Sequence, residues 1–280
     1  MPGLRLSAFG GALQHILSMG EGSEESPLVV IPGNHFLSIL AGRIPGHEIF
    51  RQFGRNPSID VADAPEDIWN GGGEYTGFPL GAAETFEVRS SSTDDTIAGI
   101  GARTVSIHNI LDGDYNKVDP ILVELNGTNW VSLGAQTGIR STHMDIESAG
   151  SVGANVGEIT LRHTTTTTNI FSVMPIGMNH SAICAITVPA ETAFVYKVKA
   201  EIARTGNQAG SAFLTLRVRE EGSVFKAKTD PEITTGANFK SDEDLWYIAY
   251  AKTDIKLRIE SVSANNMIAT GRIVGILVDL

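Results

Sequence analysis

TAFVYKVKAEIA, residues 192–203, alternates without a break. Phe194, Tyr196, Val198, Ala200 and Ile202 fall on one side, and Lys197, Lys199 and Glu201 on the other. A period of two places successive side chains on opposite faces of an extended chain, so the stretch reads as a strand with one buried and one wet face. SAFLTLRVR (211–219) repeats the pattern, with Ala212, Leu214, Leu216 and Val218 inward and Thr215, Arg217 and Arg219 outward. DIKLRIE (254–260) does so again through Ile255, Leu257 and Ile259. TFEVR (85–89), RTVSIHN (103–109), ILVEL (121–125) and EITLRH (158–163) are shorter cases. MIATGRIVGILVDL (267–280) is apolar on both faces from Ile273 onward, which suits a central strand.

Turn-forming clusters separate these runs: DGDYN (112–116), NGTN (126–129), VPAE (188–191), RTGNQAGS (204–211) and EEGS (220–223). Many short strands with regular turns and no long amphipathic helix predict an all-β fold of about ten to twelve strands. A two-sheet β-sandwich of jelly-roll type over 81–280 is the first expectation. Two smaller sandwiches divided near residue 150, at the glycine-rich AGSVGANVG (149–157), are the alternative.

The texture differs before residue 81. Residues 1–80 contain no lysine, and four arginines stand against nine acids. LQHILSM (13–19) and HFLSILA (35–41) are helix-like but too short to be stable alone. RQFGRNPSIDVADAPEDIWNGGGEY (51–75) has no clear helical or strand period. Residues 1–80 therefore read as an extended, irregular N-terminal arm that gains order by lying on something else.

Composition excludes several function classes. With 280 residues and 42% hydrophobic content, the chain can bury one large core or two small ones. A net charge of −11 works against nonspecific nucleic-acid binding. No apolar run reaches the length of about 18 residues that a membrane helix needs. Gln14 and His15 interrupt the N-terminal apolar patch, unlike a secretory leader. Cys184 stands alone, so no disulfide framework or cysteine metal site is expected, and a small buried hydrophobe is.

A search for chemistry yields no catalytic, cofactor-binding or metal-binding residues. There is no GxSxG elbow. His180 precedes Cys184 by four residues, about 13 Å along a strand, too far for a catalytic pair. No two of the seven histidines are spaced HxH or HxxxH. Asp112, Asp114 and Asn116 open like a calcium loop, but Lys117 stands where glycine is required, so a polar hairpin turn explains them better. GGGEYTG lacks the lysine of a phosphate loop; its glycines read as a bend or a close approach. TTTTT (164–168) reads as an exposed hairpin tip, and Trp246 as core or interface. Trp69 has no local core in the arm, so something outside its own segment is expected to cover it.

FGRNPSID (53–60), EDIWNGGGEY (66–75), GANVGEITLR (153–162) and ICAITVPAETAFVYKV (183–198) carry a resemblance. Across residues 45–205 the chain resembles structural virion proteins of tailed, often marine, bacteriophages. In the last stretch Glu191 stands where the family's recurring segment has glycine, which puts that turn's conformation in question. The resemblance implies a non-enzymatic virion component. Its most direct form is a capsid decoration protein bound to neighbouring virion proteins through the arm; a tail-fibre, neck or receptor-binding protein is the alternative. In that picture Phe50, Phe53, Trp69 and Tyr75 fill apolar pockets on a partner, and Arg51 and Arg55 pair with its carboxylates. Symmetric self-association, most simply a homotrimer, would cover apolar edges. The other possibility is that the arm packs back on its own sandwich.

Overall fold

A computed structural model describes residues 35–204, 209–229, 231–236, 238–240 and 246–280. HFLSILA contains the helix His35–Leu40, in a unit that ends at Arg43. LQHILSM lies outside the described residues. Ile44–Leu280 is a second compact unit, built of antiparallel strands around two main hydrophobic cores.

One core lies between two sheets. In the outer sheet, strand Met267–Asp279 runs centrally between His47–Ile59 and Thr192–Arg204. Asn238–Lys240 and Tyr247–Tyr250 pair with the far side of Thr192–Arg204. The opposing sheet runs Ala185–Thr187, Asp254–Val262, Ser211–Arg219, Lys226–Thr229. The alternation dictates this layering. Phe194, Tyr196, Val198, Ala200 and Ile202 meet Leu214, Leu216, Ile255, Leu257 and Ile259 in one core.

The second core lies under residues 84–174. Glu84–Ser90 sits between Val131–Gly138 and Ile159–His163, which also pairs with Ile170–Met174. Ala102–His108 sits between Ile121–Glu124 and His143–Ala149. Phe86, Val88, Leu161 and Phe171 from the first sheet pack with Ile107 and Met144 from the other. The chain thus enters the second sandwich before Glu84 and leaves it after Met174. AGSVGANVG does not divide the two. It turns within the second sandwich, where the Val156 and Gly157 N–H groups donate to Asp95 at 3.0 and 2.8 Å.

The arm expected over 1–80 is corrected from residue 44 onward. His47–Ile59 is a strand of the outer sheet, registered residue by residue against Met267–Asp279. Glu66–Asp67 then pairs with Asp254–Val262 after the cis peptide Ala64–Pro65. The segment from Ala64 to Phe78 covers positions that alternation assigns to water. Lys256 and Arg219 are buried there. Lys256 meets Asp67 at 2.7 Å, and Arg219 donates to the Phe78 carbonyl at 3.0 Å and pairs with Asp254. An acid-rich segment lies on a cation-bearing sheet face, so the cover is polar and leaves little hydrophobic signature.

Candidate interaction face

Residues in three of the four motif stretches form internal struts. Glu66 is buried, and its Oε2 accepts from Asn56 Nδ2 at 2.7 Å and the Gly73 N–H at 2.6 Å. Asp67 Oδ2 accepts from the Tyr75 N–H at 2.7 Å, and Trp69 Nε1 donates to the Gly73 carbonyl at 3.2 Å. The consecutive glycines each have a reason. A Cβ on Gly71 would lie 2.3 Å from the Trp69 ring, while Gly72 and Gly73 take φ of +66° and +62°. Gly54 pairs with Gly271, and a Cβ on Gly54 would fall 2.2 Å from the Cys184 amide nitrogen. In GANVGEITLR, Asn155 is buried and donates to the carbonyls of Gly157 and Pro175. Hydrogen-bonded and sterically closed, these residues specify a fold.

The six residues expected to anchor on a partner separate into two groups. Trp69 and Tyr75 are buried in their own chain, ring centroids 5.1 Å apart, against Ile183 and Phe78. Tyr75 Oη donates to the Phe171 carbonyl at 3.0 Å, and burial pushes its pKa up. Phe50 points inward and meets Phe194 edge-on at 5.8 Å. Trp69 and Tyr75 are closed to a neighbour, while Phe50 stays half-buried. Arg51, Phe53 and Arg55 point the other way, onto the open face of the outer sheet.

Sequence reading named Arg51, Phe53 and Arg55 as contact residues and Lys197, Lys199 and Glu201 as outward, but did not bring them onto one face. Register places Ile49, Ile276, Val195 and Ile248 in one row across four strands. The next row holds Arg51, Val274 and Lys197, and the one after it Phe53, Arg272 and Lys199. Arg55, Thr270 and Glu201 follow. Ile248 and Tyr250 are 58% and 66% exposed. Trp246, expected in a core or interface, is also exposed and carries Lys197 Nζ 4.8 Å over its ring. These rows carry Arg51, Arg55, Lys197, Lys199 and Arg272, and Glu201 pairs with Lys199. A shallow depression between Phe53, Arg55, His180, Lys199 and Arg272 lies on the same face. The available signal was the outward set of each strand, read together rather than strand by strand.

Other groups have a smaller reach. His143 Nε2 and His108 Nε2 lie 2.8 and 3.6 Å from Asp145 Oδ2, and Phe53 touches His180 with centroids 5.4 Å apart. Burial lowers the His143 pKa against the pull of Asp145. Among the described residues, no set of three or more His, Cys, Asp or Glu side chains is arranged to hold a metal ion. Cys184 is buried, and burial pushes its thiol up. Arg89 and Arg162 lie 4.4 and 3.7 Å from the Trp130 ring centroid. Asp112 Oδ1 accepts from the N–H groups of Asp114 and Asn116, closing the hairpin between Ile110–Leu111 and Lys117–Val118. Among the described residues no helix is long and apolar enough to cross a membrane.

No protein-family model matches the chain, and no curated protein matches it. Among solved structures, the infectious bursal disease virus VP2 subviral particle aligns at 14% identity over 86% of this chain and 77% of that chain, with a TM-score of 0.25. The Gx strain of the same virus aligns at 12% identity over 83% of this chain and 72% of that chain, with a TM-score of 0.23. This is weak similarity to viral structural proteins.

Proposed function

We propose that this chain is a non-enzymatic structural component of a tailed-bacteriophage virion, a decoration protein that binds neighbouring virion proteins. The observation that carries the reading is the outer sheet face. It is backed by a packed core, and it mixes an apolar row with cations, the composition of a docking surface. The resemblance in FGRNPSID, EDIWNGGGEY and GANVGEITLR supplies the virion setting. Arg51, Phe53 and Arg55 stay in the proposed contact. The arm-mediated route is replaced, because Trp69 and Tyr75 are spent inside the chain. A receptor-binding or fibre role is the second reading, favoured by Arg89 and Arg162 stacked on Trp130, a cluster suited to an anionic group. Mass spectrometry of denatured, gradient-purified particles tests the proposal. The chain should be found among the virion proteins, and its absence would sink both readings.

A further inference from the structure

We propose that Lys256 and Asp67 become joined by an isopeptide bond, formed by the folded chain itself between the Lys256 amine and the Asp67 carboxyl. Such a bond is independent of any virion role. The two groups meet at 2.7 Å, Nζ to Oδ2, and both side chains are buried. Strand pairing holds them there. Asp67 stands opposite Arg258 on the strand Asp254–Val262, and its N–H donates to the Gly73 carbonyl at 2.9 Å. Phe225 has its ring centroid 4.7 Å from Lys256 Nζ and packs against the cluster of Trp69, Tyr75 and Phe78. Holding two reactants in contact replaces a bimolecular step and can reach effective molarities of about 10⁵ M or more. Lys117–Glu48, Lys199–Glu201 and Lys252–Glu221 lack this setting. They lie open to water, which keeps both partners charged.

A buried ion pair that moves one proton becomes a neutral acid beside a neutral amine, which removes the cost of holding two charges away from water. Burial raises the Asp67 pKa above its ordinary value, against the pull of Lys256, and so favours the acid. The two carboxyl oxygens are unequal. Oδ2 accepts from the Tyr75 N–H at 2.7 Å, whereas Oδ1 has no hydrogen-bond partner among the described residues. The Nζ lone pair attacks Cγ, and the Tyr75 N–H stabilises the charge that develops on Oδ2. The Nζ–Cγ bond forms and the Cγ–Oδ1 bond breaks. Oδ1 leaves as water, carrying its own proton and one from Nζ. Glu74 relays that second proton: its Oε1 lies 3.6 Å from Lys256 Nζ, and its side chain reaches solvent. The step consumes no oxidant and no co-reactant. The product keeps Oδ2 on the Tyr75 N–H and staples the crossing segment to the opposing sheet, between residues 189 apart in sequence.

The test is the intact mass of the purified, folded full chain, measured after denaturation and followed by tryptic mapping. The wild-type chain should be lighter than its sequence mass by one water. Trypsin should release a branched product that joins residues 56–89 to residues 253–258 and is uncut after Lys256. Lys256→Arg keeps a cation but not the amine, and should show its full sequence mass. Glu74→Gln changes an exposed side chain and should be recovered mostly unbonded, since losing a general acid–base group slows such a step by about a hundredfold or more. A folded wild-type chain at its full sequence mass overturns the proposal and leaves an ion pair. A missing water that maps to a linear peptide also overturns it, because an aspartyl succinimide forms without Lys256. A Glu74→Gln chain bonded as completely as wild type overturns the relay through Glu74.

Discussion

Asn56 and Glu66 meet in the interior: Asn56 Nδ2 donates to Glu66 Oε2 at 2.7 Å, and both side chains are buried. The same amide donates to the Asp67 carbonyl at 3.2 Å, so one side chain ties the outer-sheet strand to the segment that crosses over the opposing sheet. Asn56→Ala removes one hydrogen bond from a buried carboxylate oxygen and one from a buried carbonyl, which keep the Gly73 and Trp69 N–H groups. It should cost about 1.5–3 kcal/mol of unfolding free energy, the usual worth of a buried hydrogen bond to a charged group. Urea denaturation checks this, and a loss under about 0.5 kcal/mol would place the crossing segment off the domain.

Lys256 and Asp67 form a buried pair at 2.7 Å, and the Tyr75 N–H donates to the same carboxylate oxygen. Lys256→Met should destabilise by about 3–5 kcal/mol, because a buried carboxylate loses its cation. Adding Asp67→Asn should recover part of that loss. The double-mutant cycle measures the coupling, and simple additivity would contradict the pairing.

His163 is fully buried, its Nε2 2.9 Å from the Gly138 carbonyl and its ring packed on Phe86 and Phe171. Burial lowers its pKa below the ordinary histidine value. Near acid the unfolded chain then binds a proton that the folded chain does not. Stability is complete above the ordinary pKa of about 6.5 and falls as pH drops below it, by up to about 1.4 kcal/mol per pH unit until the lowered folded pKa is reached. His143 acts with the same sign. His163→Gln should flatten the slope between about pH 6.5 and 5, measured as melting temperature against pH.

Glu191, where the resembling segment has glycine, sits at φ +55°, the left-handed conformation that glycine adopts without strain. The turn keeps its shape and the side chain bears the strain. Glu191→Gly should stabilise by roughly 0.5–1 kcal/mol, the strain relieved less the added freedom of the unfolded chain. Thermal unfolding checks the sign.

Cys184 packs under Gly54 and Gly271, with the thiol enclosed. A thiol reagent should fail to label the native chain and label it fully in denaturant. Gly54→Ala, which forces a methyl into the Cys184 backbone, should cost about 3 kcal/mol or more and expose the thiol.

The strands that alternate cleanly were legible. Phe194 through Ile202, Leu214 and Leu216, and Ile255 through Ile259 lie where period two places them. The strand His47–Ile59 was not legible, for a physical reason: its inward set is Phe50, Gln52, Gly54 and Asn56, and its outward set includes Ile49 and Phe53. Polar and small residues face in because they hydrogen-bond or make room for Cys184, and apolar residues face out onto the open sheet. The usual hydrophobic signal is thereby inverted. Arg219 and Lys256 misled in the opposite direction, since cations at outward positions normally mean water, yet here they mean a cover carrying Asp67 and the Phe78 carbonyl. The outer face itself depends on register between strands far apart in sequence, which no single stretch contains.

Antibody–gold labelling of intact purified particles, with antibody raised against the full chain, tests the central claim most directly. Label spread over the head is the predicted result and marks a decoration protein. Label confined to the tail or a single vertex would contradict decoration and favour the receptor-binding reading. Unlabelled particles whose denatured proteins also fail to react would contradict a structural role in the virion altogether.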